Sequence, residues 1–158
     1  MPDALSTDDN IMRTTPRIHY PGIWNVNTDL IDWEEVDGQP GNFMKVLALD
    51  DANHRVDFLF KQDPDKRFQK HTHKCTVATL TLDGEWGYEE GRERFFRGCY
   101  NYEVEGSAHT PYATELGMFL FASFQGDGRP FLELLDEDDA VTGVVDMEFF
   151  RRDYDDGI

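Results

Sequence analysis

His71-Thr72-His73-Lys74-Cys75-Thr76-Val77-Ala78-Thr79-Leu80-Thr81-Leu82-Asp83-Gly84-Glu85-Trp86-Gly87-Tyr88-Glu89-Glu90 begins with two imidazoles spaced by one residue and continues into a run rich in β-branched side chains. In a β-strand, residues i and i+2 point to one face, so His71 and His73 would stand side by side. A pair of exposed polar residues on a strand would carry the same letters. The run 75–82 reads as a strand ended by a turn at Asp83-Gly84. Trp86 and Tyr88 resume the alternation beyond it, which predicts that the histidine pair sits on a hairpin. A further histidine, His109, lies in Gly106-Ser107-Ala108-His109. Brought in from a neighbouring strand, it would complete a facial set of nitrogen ligands for a first-row transition metal with positions open to substrate.

Outward from this stretch the chain is a succession of short strand patterns. Segments 23–26, 43–49, 55–60, 93–98, 100–104, 118–124, 130–135 and 141–145 combine β-branched and aromatic residues between Gly, Pro and Asp turns. Segment 118–124 is the most hydrophobic and reads as a buried strand, and 146–154 reads as a short helix. No long stretch has helical periodicity, and no repeat or linker interrupts the chain. The expectation is an all-β antiparallel sandwich or barrel with at most short helical segments at the termini. Residues 1–20 are expected as a flexible N-terminal arm and 21–158 as one domain.

A formal net charge of -17 argues against nucleic acid or an anionic membrane as the main partner. Two cysteines, Cys75 and Cys99, make no disulfide framework and read as reduced thiols. Cys75 shares the parity of His71 and His73 and is read as a buried small hydrophobe rather than a thiolate ligand. No apolar run has membrane-spanning length, and the N-terminus lacks a signal-peptide pattern, so a cytoplasmic protein is expected. The acidic run Asp136-Glu137-Asp138-Asp139 lacks calcium-loop spacing and reads as a solvated turn. His19 and His54 read as surface or structural residues.

The spacing of these landmarks resembles the two motifs of the cupins, small jelly-roll barrels that hold a metal between them. His71, His73 and Gly84 match the first motif in register, with Val77 at the position of its Glu. Gly98, Gly106 and His109 match the second, with Val104 in place of Pro and Ala113 in place of Asn. The order HxH, Leu-x-Gly-x-Trp-x-Tyr-x-Glu, Gly-x-x-His is similar to the branch containing 2,4'-dihydroxyacetophenone dioxygenases and the cupin part of zinc-binding anti-sigma factors. Cupins that cleave acetylacetone with three histidines alone resemble the chain more distantly.

The resemblance implies an antiparallel jelly-roll barrel. It also implies a metal site of His71, His73 and His109 with Glu90 as the late carboxylate, or histidines alone. Iron(II) is the implied metal, with zinc, nickel and manganese as alternatives. The implied activity is dioxygen-dependent cleavage of a carbon–carbon bond in a small hydroxyketone or diketone. A non-enzymatic zinc-binding module and a redox-neutral isomerase or lyase stay open beside it. Phe60, Trp86, Tyr88, Tyr102 and Phe121 are the expected pocket residues, and a homodimer or higher homo-oligomer is the expected assembly.

Overall fold

The computed structural model describes residues 9–152 and residue 154 of the chain. The first eight residues of the expected arm, with Asp153 and 155–158, lie outside the described residues. The strands are β1 (Arg17–Tyr20), β2 (Ile23–Val26), β3 (Glu34–Glu35), β4 (Asn42–Asp50), β5 (Arg55–Gln62), β6 (His71–His73) and β7 (Thr76–Tyr88). They continue with β8 (Phe95–Phe96), β9 (Tyr100–Glu103), β10 (Ala108–His109), β11 (Pro111–Gln125), β12 (Leu132–Leu135) and β13 (Val141–Val145). One short helix, α1 (Met147–Arg151), follows, capped by the Asp146 carboxylate, which accepts from the Phe149 amide at 2.9 Å.

Two antiparallel sheets enclose the core. The larger has seven strands in the order β3-β4-β5-β11-β7-β8, with β9 also paired to β7. The smaller has four, in the order β10-β6-β12-β13, and β1 and β2 form a separate hairpin. Alternation drives the packing: Met44 and Val46, Val56 and Phe58, Leu120, Ala122 and Phe124 all point from the large sheet into one buried cluster. Phe131 and Phe150, both almost fully buried, close it from the β12 side and from α1. This is the all-β antiparallel architecture that the strand spacing predicted and the jelly roll that the cupin resemblance implied, with a short α-helix at the C-terminal end.

Two local expectations are corrected. The histidine pair is not on a hairpin with the strand that follows it. At Lys74-Cys75 the chain leaves the small sheet, with the Lys74 amide donating to Phe131 O at 2.8 Å, and enters the large one. Nor does the strand end at Asp83-Gly84. It runs on to Tyr88 through a register shift against β11, which itself begins at Pro111 rather than near Met118. Gly84 absorbs the kink with φ +77°, and a Cβ there would collide with the Gly117 carbonyl on the facing strand. A turn-like dipeptide inside a long paired strand therefore marks a bulge and a close backbone approach.

Gly84→Ala adds both a left-handed strain and that collision, so it is expected to cost about 2 kcal/mol or more. A urea titration should show a lower midpoint at unchanged slope. An unchanged midpoint would contradict the close approach.

Candidate metal centre

β6 lies between β10 and β12, and its pairing sets the site. His109 is the cross-strand partner of His71, and Ala108 is the partner of Thr72. His71 and His73 share the inward face by period-two alternation, with Thr72 turned the other way. Three imidazoles thus meet on one patch of the small sheet. Their exposures are only 5%, 2% and 8% for His71, His73 and His109. The rings of His71 and His73 stack with centroids 5.0 Å apart, and His109 stands edge-on to both.

The Nε2 atoms converge. His73 Nε2 is 3.1 Å from His71 Nε2 and 3.0 Å from His109 Nε2. Nitrogens bound to one ion at ~2.1 Å and at right angles sit about 3.0 Å apart, so the separations fit a shared first-row dication. The Nδ1–H of His71 donates to Gln69 O at 2.8 Å, leaving its Nε2 lone pair facing the cluster. Burial pushes the imidazole pKa values down, to about 4 for His71, about 2 for His73 and about 3 for His109. All three are therefore neutral at pH 7, the state in which imidazole is a ligand. Three buried histidines are a site that a metal ion can occupy.

The expected carboxylate is not part of the cluster. β7 ends at Tyr88, and Glu89-Glu90 form a turn that breaks the alternation on which Glu90's inward placement depended. Glu90 is exposed, and its Oε1 accepts a hydrogen bond from the Thr110 amide. It reaches the cluster only through its charge, which partly offsets the desolvation of His71.

A different carboxylate lies at the site. Glu103 of β9 is 13% exposed at the side chain, with Oε2 3.3 Å from His73 Nδ1 and 3.4 Å from His109 Nε2. The Tyr88 phenol donates to its other oxygen, and the Tyr88 ring stacks on His109 at 4.2 Å. Burial raises the pKa of Glu103, partly opposed by that hydrogen bond. It raises the phenol as well, with the neighbouring carboxylate adding to the effect. The sequence reading missed Glu103 because it placed Tyr102 in the pocket. Tyr100 and Tyr102 are in fact 63% and 60% exposed, so the alternation turns Glu103 inward. The missed signal was parity: one end of that strand had to be wet.

A cavity of about 100 Å³ adjoins the imidazoles. Phe60, Trp86 and Tyr88 line it, joined by Phe58, Phe68 and Phe124. Tyr102 and Phe121 do not. Tyr102 faces out of the sheet, and Phe121 lies on the opposite face of β11 from Leu120 and Ala122. No lysine or arginine is among the lining residues. Cys75 is buried away from the lining, its thiol pushed up to about 12 by desolvation, so it is a core thiol and not a thiolate.

A jelly roll with three inward histidines from β6 and β10 beside an apolar cavity defines a cupin. The chain belongs to the family described as the ChrR cupin-like domain, whose model matches residues 24–126. No curated protein matches it in sequence. Among solved structures it is similar to an RmlC-like cupin from Ralstonia eutropha JMP134, with TM-score 0.72, 23% identity, and coverage of 81% of this chain and 82% of that one. It is similar to a putative acetylacetone dioxygenase from Methylibium petroleiphilum PM1, with TM-score 0.72, 18% identity, and coverage of 81% and 91%. It is also similar to the Rhodobacter sphaeroides complex of SigE with the anti-sigma ChrR, with TM-score 0.53, 21% identity, and coverage of 62% and 50%. At these identities the likeness is one of fold.

The depressed imidazole pKa values give a pH dependence of definite sign. Above the unfolded value of about 6.5 neither state binds the proton. As pH falls below it, the unfolded chain takes up protons that the buried rings refuse, so the metal-free protein loses stability. The loss approaches ~1.4 kcal/mol per pH unit for each histidine until the native values are reached. Glu103, raised rather than lowered, has the opposite sign but is one group against three. Urea unfolding of metal-free protein from pH 7 to 5 should show this slope, and His109→Gln should make it shallower. An unchanged slope in that variant would mean that His109 is not buried as a neutral ring.

Proposed function

We propose that the protein is a mononuclear metal-dependent dioxygenase that cleaves a carbon–carbon bond in a small, uncharged hydroxyketone or diketone. The observation that carries this reading is the convergence of three neutral imidazole nitrogens on the wall of an apolar cavity. His71, His73 and His109 are the residues that would hold the metal, with iron(II) first and zinc, nickel or manganese as alternatives. When bound, iron(II) would supply Lewis acidity toward substrate oxygens and the redox capacity for dioxygen. The likeness in fold to a putative acetylacetone dioxygenase supports the same direction.

The chain's own residues do the rest. Phe58, Phe60, Phe68 and Phe124 exclude water, which strengthens polar interactions inside. The indole Nε1–H of Trp86 donates to Thr81 Oγ1 at 2.8 Å, so that wall presents no unsatisfied donor. Thr79 differs. Its buried hydroxyl borders the cavity and has no hydrogen-bond partner, which leaves it free to bond a substrate oxygen. With no cationic side chain in the lining, only the metal would offset the charge of an anionic substrate. A neutral substrate carrying one or two oxygens fits both facts.

The test is oxygen uptake by iron(II)-loaded protein with a panel of neutral hydroxyketones and diketones. Turnover with at least one, lost in His71→Ala, His73→Ala and His109→Ala together with metal binding, is the expected result. Absence of uptake across the panel with stoichiometric iron would overturn the dioxygenase reading. Thr79→Val should then raise KM on the active substrate, by a factor of about 10 for one lost hydrogen bond, with little change in kcat. The second reading is a non-catalytic zinc-binding module, favoured by the match to the ChrR cupin-like family. Purified protein carrying tightly held zinc that iron(II) does not displace, and no uptake, would establish that one.

A further inference from the structure

The Glu103–Tyr88 pair stands beside the three imidazoles but outside their group of converging donor atoms. We infer that Glu103, held by Tyr88, is the positioning carboxylate of the centre, orienting His73 through its Nδ1 while its Nε2 faces the metal position. This rests on the reading of the three histidines as metal ligands.

Three observations carry it. First, His73 Nδ1 is buried and has no aligned hydrogen bond, whereas His71 has its Nδ1 fixed by Gln69 O. The nearest counterpart for His73 is Glu103 Oε2 at 3.3 Å, with side-chain exposures of 3% and 13%. A ligating imidazole whose other nitrogen meets a carboxylate has its tautomer and ring angle set, and becomes a better donor. Second, the carboxylate is itself restrained: one oxygen takes the Tyr88 phenol, which leaves the other facing the imidazoles, 3.3 Å from His73 Nδ1 and 3.4 Å from His109 Nε2. The Tyr88 ring lies flat on His109, so a single pair of side chains braces two of the three ligands. Third, Glu103 is the cross-strand partner of Val77 on β7. Paired residues share a face with Cβ atoms about 5 Å apart. The pairing thus brings the carboxylate to the inward face of β7, where Val77 and Thr79 line the cavity. Glu90, bonded to the Thr110 amide, is not available for this role.

The experiment uses cobalt(II) as the probe, read by competition titration and by its d–d absorption, in wild type, Glu103→Gln, Tyr88→Phe, the double variant and His73→Ala. Wild type should bind one cobalt(II), and His73→Ala should lose most of that binding. Glu103→Gln should weaken it about 10- to 100-fold and shift the d–d bands. Tyr88→Phe should move both readouts in the same direction by less, and the double variant should be no worse than Glu103→Gln, because the phenol acts through the carboxylate. Unchanged affinity and spectrum in Glu103→Gln, beside normal wild-type binding, would overturn this inference and leave the three-histidine site standing. No cobalt(II) binding by wild type would overturn both. Should Glu103→Gln fail to fold by circular dichroism, Tyr88→Phe carries the same comparison, and wild-type affinity and bands there would overturn the inference.

Discussion

Three imidazoles in mutual contact cannot leave water as cations, and this constraint organises the centre of the protein. Burial depresses each of them, and the proximity of the others depresses His73 further. The rings are therefore three neutral bases whose lone pairs converge on one point, an arrangement that a cation relieves. The strands around them hold that arrangement rigidly. β6 is paired on both sides, by β10 and β12, so neither His71 nor His73 can turn away without breaking the small sheet.

The apolar cavity and the carboxylate follow from the same geometry. Because the chain crosses from one sheet to the other at Lys74-Cys75, the imidazoles face the inner surface of the large sheet rather than their own hairpin partner. What they meet there is Phe58, Phe124 and Trp86, and between the two surfaces remains the cavity. β9 lies at the side of β7 in register with Val77, which brings a single acid into an otherwise uncharged wall. Tyr88 satisfies one of its oxygens, without which the burial of a carboxylate would be costly.

Several features were legible because they depend on local periodicity alone. The i, i+2 sharing of a face by His71 and His73 needs only that the segment be a strand. The spacing from Gly98 through Gly106 to His109 needs only a turn of fixed length. The inward placement of Trp86 and the outward one of Tyr102 depend instead on parity relative to a core that no local window contains. Local alternation without that reference therefore placed Tyr102 on the wrong side. Glu90 failed for a related reason. Its expected orientation extrapolated the alternation past Tyr88, where the backbone turns, and its carboxylate was taken instead by the Thr110 amide.

The sequence by itself determined an all-β chain, the three histidines and the family spacing that joins them, since these rest on residue types and short-range geometry. Only the tertiary structure decided which carboxylate accompanies them, which aromatics face the cavity, and that β6 belongs to the sheet opposite β7. Those choices are made by register between strands distant in sequence. A one-residue shift in register exchanges the two faces of a strand, and nothing within a strand records which neighbour it will meet.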